Sequence, residues 1–137
     1  CVKQSKRIYY YSRTRRFILV DDMIKTLFID IDGTLLKHRG SLLGCINDEP
    51  ELLPGVLERL EEWKMKEYRI ILTTARTESM REKTIQQLEK VDIFYDMLIM
   101  GIPHGPRYVI NDNKPHMKKT AYGITIKRNE GFNDLII

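Results

Sequence analysis

Short apolar runs alternate along this chain with segments of helical periodicity, and this alternation restricts the fold more than any other feature. Residues 27–29, 68–74 and 97–100 have the length and apolar composition of buried strands. Amphipathic helices are predicted between them over residues 56–66 and 78–90. Because right-handed crossovers join parallel strands, this order predicts an α/β fold with a doubly wound, Rossmann-like sheet flanked by helices.

Two more strands and a small insertion complete the predicted architecture. Residues 108–110 and 122–126 are predicted to be the fourth and fifth strands. Residues 35–53 contain several turn-forming residues, among them Gly40 and Gly44, so a loop or small hairpin is predicted there. We therefore expect a minimal cap over the sheet.

Length and composition favour one domain without a membrane span. A chain of 137 residues, 42% of them hydrophobic, can bury one core but not two. No window approaches the roughly 18 apolar residues of a membrane helix. Cys1 and Cys45 are far apart and belong to no metal-binding cluster, so a reducing, cytoplasmic location is expected.

Basic residues are concentrated near the N-terminus. Residues 1–25 hold seven Lys or Arg and two Asp, a net charge of +5, which leaves −1 for residues 26–137. We therefore divide the chain into a basic leader, 1–25, which adds an edge strand or stays mobile, and a main domain, 26–137. Such an arm can bind nucleic acid or be a solvated terminus, and the charge leaves both open.

Polar residues follow three of the predicted strands. Asp30, Thr74 and Asp112 lie at or just after the ends of the first, second and fourth strands. Ligands of parallel sheets bind beyond the carboxyl ends of the strands, so these side chains predict a shared site. The alternatives are structural, because Asp30 and Asp32 can form a turn, Thr74 can cap a helix, and Asp112 can be a loop residue.

Three segments resemble the haloacid dehalogenase-like superfamily. They are Leu27-Phe28-Ile29-Asp30-Ile31-Asp32-Gly33-Thr34-Leu35, Ile70-Ile71-Leu72-Thr73-Thr74-Ala75-Arg76 and Val109-Ile110-Asn111-Asp112. The second aspartate, Asp32, is similar to that of the phosphatase branch, whereas dehalogenases and ion-pumping ATPases lack an acid there. The resemblance implies a magnesium-dependent phosphatase of the small-cap type that forms an aspartyl-phosphate in its main domain, 26–137.

The resemblance also implies the catalytic roles. Asp30 is the expected nucleophile, and Asp32 is the expected general acid and base. Thr74 is expected to hydrogen-bond the phosphate, with Thr73 as the alternative register. The predicted substrate-binding residues are Gly33, Thr34, Ala75 and Arg76.

Two cations are needed at such a site. A carboxylate can approach a charged phosphate when a cation screens the repulsion, and Mg²⁺ prefers oxygen ligands. The resemblance implies Asp30, Asp112 and the backbone carbonyl of Asp32 as its ligands. The lysine that is usual in the family upstream of the last acidic motif is missing, because the only Lys or Arg between Met100 and Asp112 is Arg107. Arg107 precedes the fourth predicted strand and is expected at the wrong end of the sheet. Lys114 is therefore the predicted charge-stabilising residue.

The substrate is predicted less narrowly than the reaction. The segments 101–107 and 111–115 resemble phosphatases of sugar-phosphate metabolism, which implies a small phosphorylated metabolite. Thr74-Ala75-Arg76 also resembles the phosphatase half of polynucleotide kinases, so a nucleic-acid end phosphatase is the alternative. A catalytically silent phosphate-binding module is a third hypothesis. No membrane partner is expected, and a second subunit of a homo-oligomer could close the open site.

Overall fold

The computed structural model describes residues 23–137 in full, together with the backbone of two short strands nearer the N-terminus. These strands, β1 (Tyr9–Tyr11) and β2 (Phe17–Leu19), pair in antiparallel orientation. The rest of the predicted leader up to residue 22 lies outside the described residues, so the division of the chain at residue 25 stays a prediction.

A parallel sheet of three strands forms the centre of the domain. Its strands are β3 (Thr26–Asp30), β4 (Arg69–Thr73) and β5 (Met97–Ile99), in that order across the sheet. Asp30 is level with Thr73, which in turn is level with Ile99. The carboxyl ends of all three strands therefore meet at one edge, as the sequence pattern predicts for a small α/β domain.

Helices cover the sheet through apolar residues at helical spacing. The helices are α1 (Leu42–Asn47), α2 (Val56–Met65) and α3 (Arg81–Lys90), the last preceded by a 3₁₀ turn, Glu78–Met80. In α2, Val56, Leu60 and Trp63 share one face and are buried in the core. Among the described residues, no helix has the length and apolar character required to cross a membrane.

Gly55 sets the start of α2. Its φ of +74° lies in the left-handed region, and a Cβ atom there would come within 2.5 Å of the Asn133 side-chain oxygen. Phe132, which is buried beside Trp63, donates its backbone N–H to the Pro54 carbonyl at 2.8 Å. The C-terminal segment is thus packed against the helix start, and only glycine fits at the contact.

The predicted loop or hairpin at residues 35–53 contains a helix instead. Ser41 caps α1 by accepting a hydrogen bond from the Gly44 N–H at 3.0 Å. An antiparallel bridge between Leu36 and Leu52 brings the two ends of the segment together. The result is a closed flap with one short helix.

The predicted fourth and fifth strands, at residues 108–110 and 122–126, are wrong. The chain there is irregular within the described range 23–137, and Tyr108 and Ile110 are 87% and 94% exposed. A parallel crossover needs a dozen or more residues, usually including a helix, whereas eight residues separate Ile99 from Tyr108. These two segments are therefore apolar in sequence but do not form a buried face of the sheet.

Candidate active site at the strand ends

A tight turn after β3 places two carboxylates at the sheet edge. Asp30 ends the strand, and the buried Ile31 carbonyl accepts backbone hydrogen bonds from Leu35 at 2.9 Å and Leu36 at 3.0 Å. Gly33, with a φ of +90°, makes the reversal possible. Asp30 and Asp32 therefore lie on either side of a residue that is fixed in the core.

Asp30 is half-buried and lies among charged and polar groups. Burial raises the pKa of its carboxyl, and the negative charge of Asp32 raises it further. The positive charge of Arg107 lowers the pKa, as do hydrogen bonds from the Ile31 N–H and from the Thr34 hydroxyl, which is 3.4 Å away. Asp30 is thus a partly desolvated carboxylate with a second carboxylate and one cation nearby.

Asp32 is held by a buried arginine. The Arg76 guanidinium donates from Nε and Nη2 to the two carboxylate oxygens at 2.8 and 2.7 Å. Its Nη1 donates to the Thr84 hydroxyl at 3.0 Å and to the Gln87 side-chain carbonyl at 2.6 Å. The side chains of Arg76 and Asp32 are 1% and 7% exposed, so water does not compete for this two-point contact. Arg76, a predicted substrate-binding residue, directs these four hydrogen bonds at protein groups.

The residues after β4 form the second part of the edge. Thr74 is buried, and its hydroxyl oxygen accepts the Arg76 backbone N–H at 3.1 Å. Thr73, the alternative register, is level with Asp30 in the sheet. Ala75 is half-buried between Thr74 and Arg76. The roles predicted for Thr74 and Ala75 toward a phosphate stay predictions.

The segment after β5 folds back over the strand ends. The backbone N–H groups of Gly101 and Ile102 donate to the carbonyls of Arg76 and Thr74 at 2.7 and 2.9 Å. Arg107 is fixed by its own loop, donating to the carbonyls of Pro103 and Gly105, both at 2.7 Å.

The segment that carries Arg107 turns back over the carboxyl ends of the strands, and the charge of Arg107 lowers the pKa of Asp30, so the prediction that Arg107 lies at the wrong end of the sheet is wrong. The prediction assumed a strand after Arg107, whereas the segment turns back toward the edge. Two glycines and two prolines within residues 101–107 are the sequence signal for this turn.

Asp112 and Lys114 form a pair in an irregular, exposed segment. The Lys114 ammonium donates to the Asp112 carboxylate at 2.6 Å, and this hydrogen bond lowers the pKa of Asp112. Asp112 does not end a strand, contrary to the expected topology. Within residues 23–137, no group of three or more His, Cys, Asp or Glu side chains is arranged to hold a metal ion. The roles of Asp112 and Lys114 stay predictions.

The C-terminal turn contacts the turn after β3, which the sequence pattern did not indicate. Asn129 donates its backbone N–H to the Gly33 carbonyl at 2.9 Å, and its side-chain oxygen accepts the His38 N–H at 2.7 Å. The aliphatic part of Arg128 lies against Gly33, where an added Cβ atom would be 3.0 Å from Arg128 Cγ. An Asn-x-Gly segment, Asn129 to Gly131, is the local signal for such a turn.

Comparison with known proteins shows limited similarity. No protein-family model matches this chain, and no curated protein sequence matches it. A chain of the Pnkp1/Rnl/Hen1 complex is 31% identical over 62% of this chain, with a TM-score of 0.50. This chain covers 31% of the length of that one. A crystallised target from Vibrio cholerae is 23% identical over 68% of this chain and 84% of its own, with a TM-score of 0.47.

Proposed function

We propose that this chain is a phosphomonoester hydrolase in which Asp30 is the nucleophile and Asp32 the general acid and base. The observation that carries the proposal is the edge of the sheet, where a half-buried Asp30 lies in the field of Arg107 and beside an Asp32 that Arg76 orients. The likeness to a chain of the Pnkp1/Rnl/Hen1 complex supports a phosphatase or nucleic-acid-related role. The doubly wound sheet and minimal cap implied by the superfamily resemblance belong to the same proposal.

The oxygen-bearing groups at the carboxyl edge of the sheet are chemically suited to bind a divalent cation. A desolvated carboxylate whose pKa is raised by a second carboxylate is stabilised by a hard cation with oxygen ligands. Asp30 and the backbone carbonyl of Asp32 would hold Mg²⁺, and Asp112, which pairs with Lys114 in this structure, is the proposed third ligand. When bound, Mg²⁺ would screen the repulsion between Asp30 and the phosphate.

The proposed reaction has two displacements. An oxygen of Asp30 attacks phosphorus while the bond to the leaving oxygen breaks, and Asp32, which enters this step as the protonated acid, gives its proton to that oxygen. Asp32 then takes a proton from water, which attacks the aspartyl-phosphate and releases inorganic phosphate and Asp30. The Arg76 fork occupies one lone pair on each Asp32 oxygen, so a second lone pair remains for the transferred proton.

The test is hydrolysis of an aryl phosphate with and without Mg²⁺ by the wild-type chain and the Asp30→Asn variant. Turnover that requires the metal and is lost in the variant is expected. Equal turnover by the variant would show that Asp30 is not the nucleophile. A folded wild-type chain that binds inorganic phosphate without turnover would favour the silent binding module.

Two substrate classes fit this chemistry, a sugar phosphate and a phosphorylated nucleic-acid end. The second is favoured by the Arg128 stem that lies against Gly33, next to Asp32, and by the likeness to a chain of the Pnkp1/Rnl/Hen1 complex. A phosphodiester adjacent to the reacting phosphate would give Arg128 a counter-charge. Activity on a 3′-phosphorylated oligonucleotide should then exceed that on a sugar phosphate and fall with added salt, and salt-independent activity would refute this assignment.

A further inference from the structure

One side-chain amide joins the flap to the acid–base pair. Gln87, which is buried on α3, accepts a hydrogen bond from Arg76 Nη1 at 2.6 Å. Its Nε2 donates to three carbonyls at the end of α1, those of Cys45, Ile46 and Asp48, at 3.0, 3.2 and 3.0 Å. These carbonyls include ones that a helix end leaves without intrahelical partners.

The orientation of the Gln87 amide is determined by its neighbours. Its oxygen faces a guanidinium that can only donate, and its nitrogen faces carbonyls that can only accept. A flipped amide would bring donor against donor and acceptor against acceptor in a buried setting. The side chain therefore has one arrangement, and this arrangement links the position of α1 to that of Arg76.

Cys45 on α1 lies in the electrostatic field of the same carboxylate. Burial raises the pKa of the Cys45 thiol, and a hydrogen bond and the charge of Asp32 add to the effect. Cys45 Sγ also accepts the Arg39 backbone N–H at 3.3 Å. The flap helix thus lies close enough to Asp32 for the charge of Asp32 to act on Cys45, and the hydrogen bonds that link the two run through Gln87 and Arg76.

We propose that Gln87 is a positioning residue that couples the flap helix α1 to the acid–base group Asp32 through Arg76. The inference rests on the proposed function, because it assigns Gln87 to the proton-transfer part of that reaction. Without the amide, Arg76 Nη1 keeps Thr84 as its acceptor, and the guanidinium plane can tilt. Asp32 then loses the orientation in which its proton meets the leaving oxygen.

The test compares leaving groups, because a misplaced acid slows poor leaving groups most. Gln87→Met keeps the length of the side chain and removes its hydrogen bonds. Since acid–base assistance is worth about 10²- to 10⁴-fold, we expect kcat for an alkyl phosphate to fall at least roughly 10-fold. For 4-nitrophenyl phosphate, whose leaving group needs little protonation, the fall should be smaller than about threefold, with KM unchanged for both substrates. Gln86→Met, on the exposed side of the same helix, is the matched control and should alter neither rate.

Equal losses on both substrates, or no loss on either, would overturn the proposal while leaving the hydrolase assignment intact. Exchange of the Arg76 Nε proton, followed by NMR, gives a readout that needs no turnover. Exchange should be faster in Gln87→Met than in wild type, and unchanged exchange would also overturn the coupling. If Gln87→Met does not fold, Thr84→Val removes the other acceptor of the same Arg76 nitrogen and is measured in the same two ways.

Discussion

Replacing Arg76 by Met tests whether the fold tolerates the loss of one partner of the buried ion pair between Arg76 and Asp32. Arg76 and Asp32 are 1% and 7% exposed, so the variant leaves a carboxylate with little access to water. Breaking a buried pair by removing one partner costs about 3–5 kcal/mol, which is a large part of the roughly 5–15 kcal/mol that stabilises a typical domain. We expect the midpoint of thermal unfolding to fall by roughly 10–20 °C.

The double variant Arg76→Met/Asp32→Asn separates the cost of an unpaired charge from the cost of lost contacts. With both charges removed, no ion stays buried without a partner, so the double variant should be more stable than Arg76→Met alone. Urea unfolding followed by circular dichroism gives the free energies. Arg69→Met is the matched control, because Arg69 pairs with Asp96 at the surface and should change stability little. The reasoning would be refuted if the double variant lost as much free energy of unfolding as Arg76→Met and Asp32→Asn lose when each is measured alone and the two losses are added.

Three further predictions concern Asp30, Arg107 and Gly55. The folded-state pKa of Asp30 is raised, so its ionised form lowers the stability of the folded protein at neutral pH. Asp30→Asn should therefore be more stable than wild type at pH 7 in the presence of a chelator. This gain in stability should vanish as the pH falls through the raised pKa toward 3.8. Arg107→Met should lower kcat/KM on an aryl phosphate about 10²-fold, whereas Lys114→Met should have a much smaller effect. The reverse order would assign the charge-stabilising role to Lys114. Gly55→Ala should lower the free energy of unfolding by more than Gly40→Ala does. Both glycines have a positive φ, but only Gly55 has Asn133 within contact distance. Equal losses of stability in the two variants would show that backbone strain alone matters.

Apart from α1, the strands and helices between residues 26 and 100 could be predicted because their patterns are local. Apolar residues at helical spacing identified α2, and the apolar runs identified β3, β4 and β5 to within two residues at either end. The Asp30 and Asp32 pair was located for the same reason, since a strand followed by Asp-Gly ends in a turn. Beyond residue 100 the apolar runs were misleading, because their burial depended on a crossover that the chain does not make.

The sequence by itself determines the alternation of strands and helices and the position of the carboxylate pair at the end of β3. Both follow from hydrophobic periodicity and turn-forming residues, which are patterns within a few residues of the chain. The tertiary structure alone decides which cation lies close enough to Asp30 to lower its pKa and which side chain holds Asp32. Arg76 and Asp32 are 44 positions apart in the chain, and Gln87 is 42 positions from Cys45, which it contacts on α1. Such contacts depend on how α3 and the segment after β5 pack on the sheet. No local pattern encodes this packing, because it is determined by the joint burial of residues that are distant in the chain.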